Sequence, residues 1–435
     1  MNEQGLKPGR LRGFRATIAV AMSNYIEAGS IVALATSLTF WQEYFGFDNF
    51  AVGLIAAISA NAFGSAIGAL IGGPLGDRFG RKFIYTYDLV LYMVGTLLVV
   101  FAVAPWMLFL GVLLTGIAVG AGVPVAWTYI AEEAPPNGRA RHVGTAQFAW
   151  GLGPLMVFII ATALVPLGLL GSRLIFAHLF VVAFITWWVR RGLAESRIWS
   201  EARDRGVSMS PFSGLKDLLG RKANITALLF LLGVYAVWGA AAGQMGIFMP
   251  RVYATAGVES PTTQNLLQVL LWGVTVLATY VGFMRLADRM SRRLLYAIGA
   301  AFGVVAWLIL VFAHVTAPAL IAFAVLWGIS AGIGAQAFYG LWTAELFATR
   351  YRASAQGLLF CLARIVVGLV SYWFPTMLAT RGVPFVGMIM IALLVAAMVI
   401  GTVFAPNTMG KTLEQIEIER YGEDLETGDR AGAGR

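Results

Sequence analysis

Glu27 and Arg364 stand deep inside long apolar runs, within Ser23-Asn-Tyr-Ile-Glu-Ala-Gly29 and Cys361-Leu-Ala-Arg-Ile-Val-Val-Gly368. A charge in such surroundings is costly and usually faces a polar cavity or a buried partner. Glu27 lies roughly 20 Å into its run at 1.5 Å per helical residue. Desolvation favours the neutral form of a carboxyl group, so a glutamate there can take up and release a proton. The competing reading is a carboxylate held permanently by a buried arginine or hydroxyl. Arg364 keeps its charge and must meet an anion, backbone carbonyls or water. Either it binds an acidic group on a solute, or it is the fixed partner of Glu27.

Further polar and aromatic residues share the apolar runs. Asn24, Tyr25, Gln147, Trp150, Gln244, Tyr339 and Trp342 are candidates to line a cavity with Glu27 and Arg364. Amides and hydroxyls there would hydrogen-bond a polyol, and an aromatic ring would cover a sugar face. Asp88 is expected to neutralise the basic loop around Arg78 and Arg81, and His178 to be a hydrogen-bonded packing residue.

The elements that position these residues follow from composition. The chain has 435 residues, 59% hydrophobic and 12% charged, with a net charge of +9. Apolar stretches long enough to cross a hydrocarbon core of about 30 Å recur from end to end. This is an all-α membrane protein. The short alternating segments of a β-barrel are missing. Twelve spans are predicted at 14–41, 50–75, 83–104, 106–131, 143–165, 172–191, 224–250, 264–285, 293–313, 317–342, 354–379 and 383–405. The first apolar run is of span length and is read as a retained helix rather than a cleaved signal.

Basic residues are distributed unevenly: 27 of the 31 lie in the N-terminal segment, the loops after even-numbered spans, or the C-terminal tail. The exceptions are Arg173, Arg251, Arg364 and Arg381. The positive-inside rule then puts both termini in the cytoplasm. The basic excess is accounted for by topology and anionic lipid, not nucleic acid. A single cysteine, Cys361, and three scattered histidines leave no disulfide or metal cluster to propose. No cofactor is expected. A nucleotide-cradling GxxxxGK[ST] loop is absent, which argues against an ATP-driven pump, and no catalytic cluster suggests an enzyme.

The longest connection divides the chain into residues 1–192, a linker at 193–223 with short surface helices, residues 224–410, and a tail at 411–435. Two loop motifs mark a repeat. Gly73-Pro-Leu-Gly-Asp-Arg-Phe-Gly-Arg-Lys82 follows the second span, and Met284-Arg-Leu-Ala-Asp-Arg-Met-Ser-Arg-Arg293 follows the eighth. Asp77, Arg78 and Arg81 in the first, and Asp288, Arg289 and Arg292 in the second, can form ion pairs that break as the chain changes state.

The first motif resembles the loop between the second and third helices of the major facilitator superfamily. Tyr129-Ile-Ala-Glu-Glu-Ala-Pro-Pro-Asn-Gly-Arg139, Glu195-Ser-Arg-Ile-Trp199, Glu345-Leu-Phe-Ala-Thr-Arg-Tyr-Arg352 and Pro406-Asn-Thr-Met-Gly-Lys-Thr-Leu-Glu-Gln-Ile-Glu417 are similar to sugar-porter signatures. The resemblance covers nearly the whole chain. It implies two pseudo-symmetric six-helix halves with a solute site between them, and a gating role for Glu132, Arg139, Glu345 and Arg352 as well as the loop charges. It also implies a solute-binding role for Gln147, eight residues after Arg139, and a proton site at Glu27. The pocket departs from the pattern: Leu108–Tyr129 carries no charge, Gln244 is not paired with a second glutamine, and Gly340 stands where a tryptophan is usual. An Ala-Arg pair in the eleventh span resembles organic-anion carriers. The expected protein is a monomeric, proton-coupled symporter of the inner membrane importing a small polar solute, either a sugar or polyol or an acid. A proton antiporter exporting a drug-like compound, or a non-transporting sensor on the same fold, is the alternative.

Overall fold

The computed structural model describes residues 13–135, 138–204, 218–348 and 352–422. Arg205 and Lys216 of the linker and the tail beyond residue 422 lie outside them. The described residues are helical with no strand. In chain order the helices are α1 (Gly13–Phe45), α2 (Asn49–Ile58), α3 (Phe63–Phe79), α4 (Arg81–Val100), α5 (Pro105–Glu133), α6 (Arg139–Leu164) and α7 (Leu169–Arg190). A short helix α8 (Arg197–Asp204) belongs to the linker. Then come α9 (Lys222–Thr255), α10 (Pro261–Ala278), α11 (Arg292–Phe312), α12 (Ala317–Ile333), α13 (Ala335–Leu346), α14 (Arg352–Val403) and α15 (Leu413–Tyr421).

Eleven helical stretches among the described residues are long and apolar enough to span a membrane. One of them, α14, has 52 residues, roughly 78 Å of helix and far more than one crossing requires. It bends at Gly382, whose φ of 74° is disfavoured for any residue with a Cβ. The two arms are the eleventh and twelfth spans of the sequence reading.

Two spans expected to be continuous are broken. The second divides at Ser59–Ala62 into α2 and α3, and the tenth divides at Gly334 into α12 and α13. Backbone groups freed inside a bilayer need other partners. At the first break Ser59 Oγ donates to Ala56 O at 2.8 Å and accepts from Asn61 N at 3.1 Å. The eighth span ends in a wide turn at Thr279–Phe283 before continuing to Leu286. There the Thr279 hydroxyl donates to the Thr275 and Gly332 carbonyls.

Helices approach closely where glycine permits. A Cβ on Gly120 of α5 would stand 2.0 Å from the Ser65 carbonyl oxygen of α3. The tail helix α15 starts with a reciprocal cap between Thr412 and Gln415. It ends where Tyr421 donates to Asn224 Oδ1 on α9 at 2.6 Å.

Candidate functional site

Glu27 of α1 is fully buried, and Arg364 of α14 reaches it across the interface between the halves. The guanidinium is held on two sides. Nη2 contacts Glu27 Oε1, while Nη1 donates to Asn61 O at 3.1 Å and Asn61 Oδ1 at 3.2 Å. Its Cζ lies 4.5 Å from the centre of the Phe360 ring. The Asn61 side-chain amide donates to Gly243 O on α9 at 2.9 Å. Thus the break in the second span puts a polar side chain and a backbone carbonyl beside the ion pair, where a continuous helix would present only its surface.

Beside the pair lies a central cavity with about 620 Å³ of space between its walls, mouth included. Its apolar wall contains Trp150, Trp238, Trp272 and Trp327, and its polar wall contains Asn61, Tyr235, Gln336 and Arg364. Trp150 and Trp272 meet edge to face at 5.1 Å. Their indole Nε1 atoms, Gln147 Oε1, Glu27 Oε2 and Arg364 Nε are buried without a protein hydrogen-bond partner. Buried polar groups in folded proteins are nearly always satisfied, so the open N–H groups of Trp150, Trp272 and Arg364, which line the cavity, are suited to a hydroxyl-rich guest.

The structure sorts the sequence candidates. Glu27 and Arg364 come together, and Trp150 lines the cavity. Gln147 donates to Ala331 O at 2.9 Å, just behind the cavity wall. Gln244 instead ties α9 to α14, donating to Val367 O at 3.3 Å and accepting from Ser371 at 3.0 Å. Asn24 is buried away from the cavity lining. Tyr25 turns toward His178 at 3.4 Å.

Tyr339 and Trp342 are corrected to packing residues. Tyr339 stacks behind Tyr235 with ring centres 3.8 Å apart, and Trp342 packs on Phe230 and Phe338. The break at Gly334 gives Gln336 the cavity-facing position and tucks the next turn behind it. Asp88 is also corrected: it sits against Gly122 within electrostatic reach of Arg190, not of the loop arginines. Sequence reasoning missed Asn61, Tyr235, Trp238, Trp272, Trp327 and Gln336. Asn61 left one signal, an amide in mid-span.

A second constellation seals the end of the bundle that carries the basic loops. In the first half Arg81 bridges Asp77 at 3.2 Å and Glu132 at 2.7 Å. In the second, Arg292 bridges Asp288 at 3.6 Å and Glu345 at 2.6 Å. The pattern repeats with the sequence motif. Among the described residues three contacts cross between halves there: Arg139 to Glu345 at 3.0 Å, Arg352 to Glu132 at 3.9 Å, and Asp77 Oδ2 accepting from Ser354 N and Oγ at 2.8 and 2.6 Å. Arg78 and Arg289 are exposed, and Arg78 lies over Phe79 rather than in the network. The start of the linker is tied to the same place, since Ser196 donates to Glu132 and Trp199 to the Asp77 carbonyl, each at 2.7 Å.

At the opposite end Arg251 of α9 donates to Gln42 of α1. A wider cleft of about 950 Å³, mouth included, lies there among the ends of α1, α6 and α9. Among the described residues no three His, Cys, Asp or Glu side chains group as metal ligands.

Residues 16–369 match the family model of the Major Facilitator Superfamily. The chain is 42% identical over 414 residues, 94% of each protein, to the minor myo-inositol transporter IolF of Bacillus subtilis. It is 24% identical over 481 residues, 94% of this chain and 89% of the other, to the quinate permease of Emericella nidulans. The fold matches the proton:xylose symporter XylE bound to 6-bromo-6-deoxy-D-glucose, with a TM-score of 0.78, 19% identity, and coverage of 93% of this chain and 98% of that one. A twelve-span bundle with repeated loop charges, a central cavity and these relatives leave one assignment: the chain belongs to the Major Facilitator Superfamily, as a sugar-porter-like membrane transporter and not an enzyme.

Proposed function

We propose that this protein is a proton-coupled symporter that imports a small neutral polyol or sugar, with a cyclic polyol such as myo-inositol the first candidate. The observation that carries this reading is the Glu27–Arg364 pair beside a tryptophan-walled cavity. The guanidinium is already committed to Glu27 and to both oxygens of Asn61. It therefore keeps only Nε open, too little for the two-pronged grip on a carboxylate solute. Indole rings cover the C–H faces of a polyol, and the open indole and guanidinium N–H groups that line the cavity suit its hydroxyls. The 42% identity to a myo-inositol transporter supports the same solute class.

Glu27 is the coupling group in this reading. Protonation removes its charge and frees Arg364, changing the forces across the interface between residues 1–192 and 224–410. The halves then rock about the central site, joined by the linker at 193–223. The basic end is the cytoplasmic end by the positive-inside rule, with both termini inside and the chain in the inner membrane. The protein works as a monomer, since cavity and gates are completed within one chain.

Vesicles containing the purified protein test the proposal. Labelled myo-inositol should accumulate when the outside is acidic, xylose more weakly, and quinate least. Accumulation independent of the pH gradient would remove proton coupling. Quinate uptake exceeding that of both neutral solutes would return Arg364 to the role of anion receptor.

A further inference from the structure

The second span opens at Ser59–Ala62, level with the ion pair and just before Gly64-Ser65. A side chain inserted into the helix ladder holds such a break open. Here Arg364 supplies it. Its Nη1 takes the Asn61 carbonyl, which in a continuous helix would accept from the N–H four residues on. The same nitrogen takes Asn61 Oδ1, and the Asn61 amide is spent on Gly243 O. One residue of the first half thus touches the charged side chain of the eleventh span and the backbone of the seventh. Gly243 is in turn pressed against α14, where a Cβ would meet Val367 at 2.5 Å. The other titratable groups facing the pair are Tyr235 of α9 and Tyr339 of α13.

We propose that Asn61 is the positioning residue that carries the charge state of Glu27 to the seventh span, with Ser59–Ala62 as the hinge. While Glu27 is ionised, Arg364 is clamped between Glu27 and Asn61, the second span is held open, and the amide grips Gly243. When Glu27 takes a proton, Arg364 is no longer anchored by its ionic partner and can swing off the Asn61 carbonyl toward the hydroxyls of a solute in the cavity it lines. The freed carbonyl can then rejoin the helix ladder, which turns the amide away from Gly243. Asn61 and Gly243 both line the cavity, so their separation reshapes the solute site at the moment of proton uptake. This rests on the proton-coupled reading above.

Two measurements on the full-length protein test it. The first is hydrogen exchange of the backbone around residues 59–65 in the parent and in Glu27→Gln. Loss of the ionic partner should change protection there by about tenfold, a typical coupling between linked sites, while protection in α11, which packs on α12 and the C-terminal arm of α14, stays the same. Unchanged exchange at the hinge overturns the proposal. The second is uptake by Asn61→Ala and the milder Asn61→Ser. The ratio of gradient-driven accumulation to gradient-free exchange of myo-inositol should fall by about tenfold or more. If both variants lose accumulation and exchange in equal proportion, or keep the parent ratio, Asn61 is not the positioning residue. Parent-like accumulation by Glu27→Gln identifies failure of the proton-coupled reading itself.

Discussion

Arg139, at the start of α6, and Glu345, near the end of α13, meet at 3.0 Å across the seam between the two halves. A hydrogen bond to a charged group contributes about 1.5–3 kcal/mol. Arg139→Ala should therefore shift the population toward opening at the basic end by roughly 10- to 150-fold. Spin labels at Arg78 and Arg289, both exposed and on opposite halves, report the change in a background with Cys361 replaced. Their distance distribution should gain a longer component in the variant. An unaltered distribution would show that this contact does not hold the seam closed.

Glu27→Gln should abolish uphill accumulation while retaining solute exchange, because the amide resembles the protonated acid in size and lacks its charge. Counterflow and gradient-driven uptake, measured side by side in vesicles, separate the two activities. Undiminished accumulation would move the proton site elsewhere.

The stability of the pair can be measured apart from transport. Removing one partner of a buried ion pair costs about 3–5 kcal/mol, because the remaining charge is uncompensated. Arg364→Met should thus lower the thermal midpoint strongly, whereas Arg364→Met combined with Glu27→Gln should restore most of the loss. If the double variant is no more stable than the single one, the two groups do not compensate each other.

Two tryptophans should behave differently. Trp272 lines the cavity and Trp342 does not. Losing a large apolar contact with the solute costs about 1.5–3 kcal/mol, so Trp272→Ala should weaken myo-inositol binding roughly 10- to 150-fold. Trp342→Ala should lower stability by about 3–5 kcal/mol with binding nearly preserved in the folded fraction. Calorimetric titration and thermal unfolding of both variants check the pair, and equal effects on binding would contradict the placement of Trp342.

Topology follows from charge. A reporter fused after Glu417 should register as cytoplasmic, and one inserted between Thr255 and Pro261 as periplasmic. The reverse pattern would mean that the basic end faces outward.

The spans were legible because a membrane helix must be long and apolar, and both properties are written locally. The ion pairs of the basic end were legible because Asp77, Arg81, Glu132 and Arg139 sit in or beside loop motifs, the first of which repeats in the second half. Cavity facing was harder to read. In spans buried on several sides, apolar periodicity does not reveal which face meets the solute, so Trp342 and Trp272 look alike in sequence. The breaks at Ser59–Ala62 and Gly334 then re-aim their neighbours. At the first, the Asn61 carbonyl is taken by Arg364, some three hundred residues away in sequence, a contact that no local pattern announces.

The seam at the basic end has a property that bears on how fast it can work. Glu345 accepts from Arg139 of the other half and also from Arg292 of its own. Glu132 likewise keeps Arg81 when it parts from Arg352, and Asp77 keeps Arg81 when it parts from Ser354. Each acid therefore retains a resident cation when the halves separate. Opening takes a second partner from each acid, leaves Arg292 with Glu345 and Arg81 between Glu132 and Asp77, and strands no bare carboxylate in a low-dielectric gap. A seam wired in this way can be tight when shut yet present a low barrier to cycling.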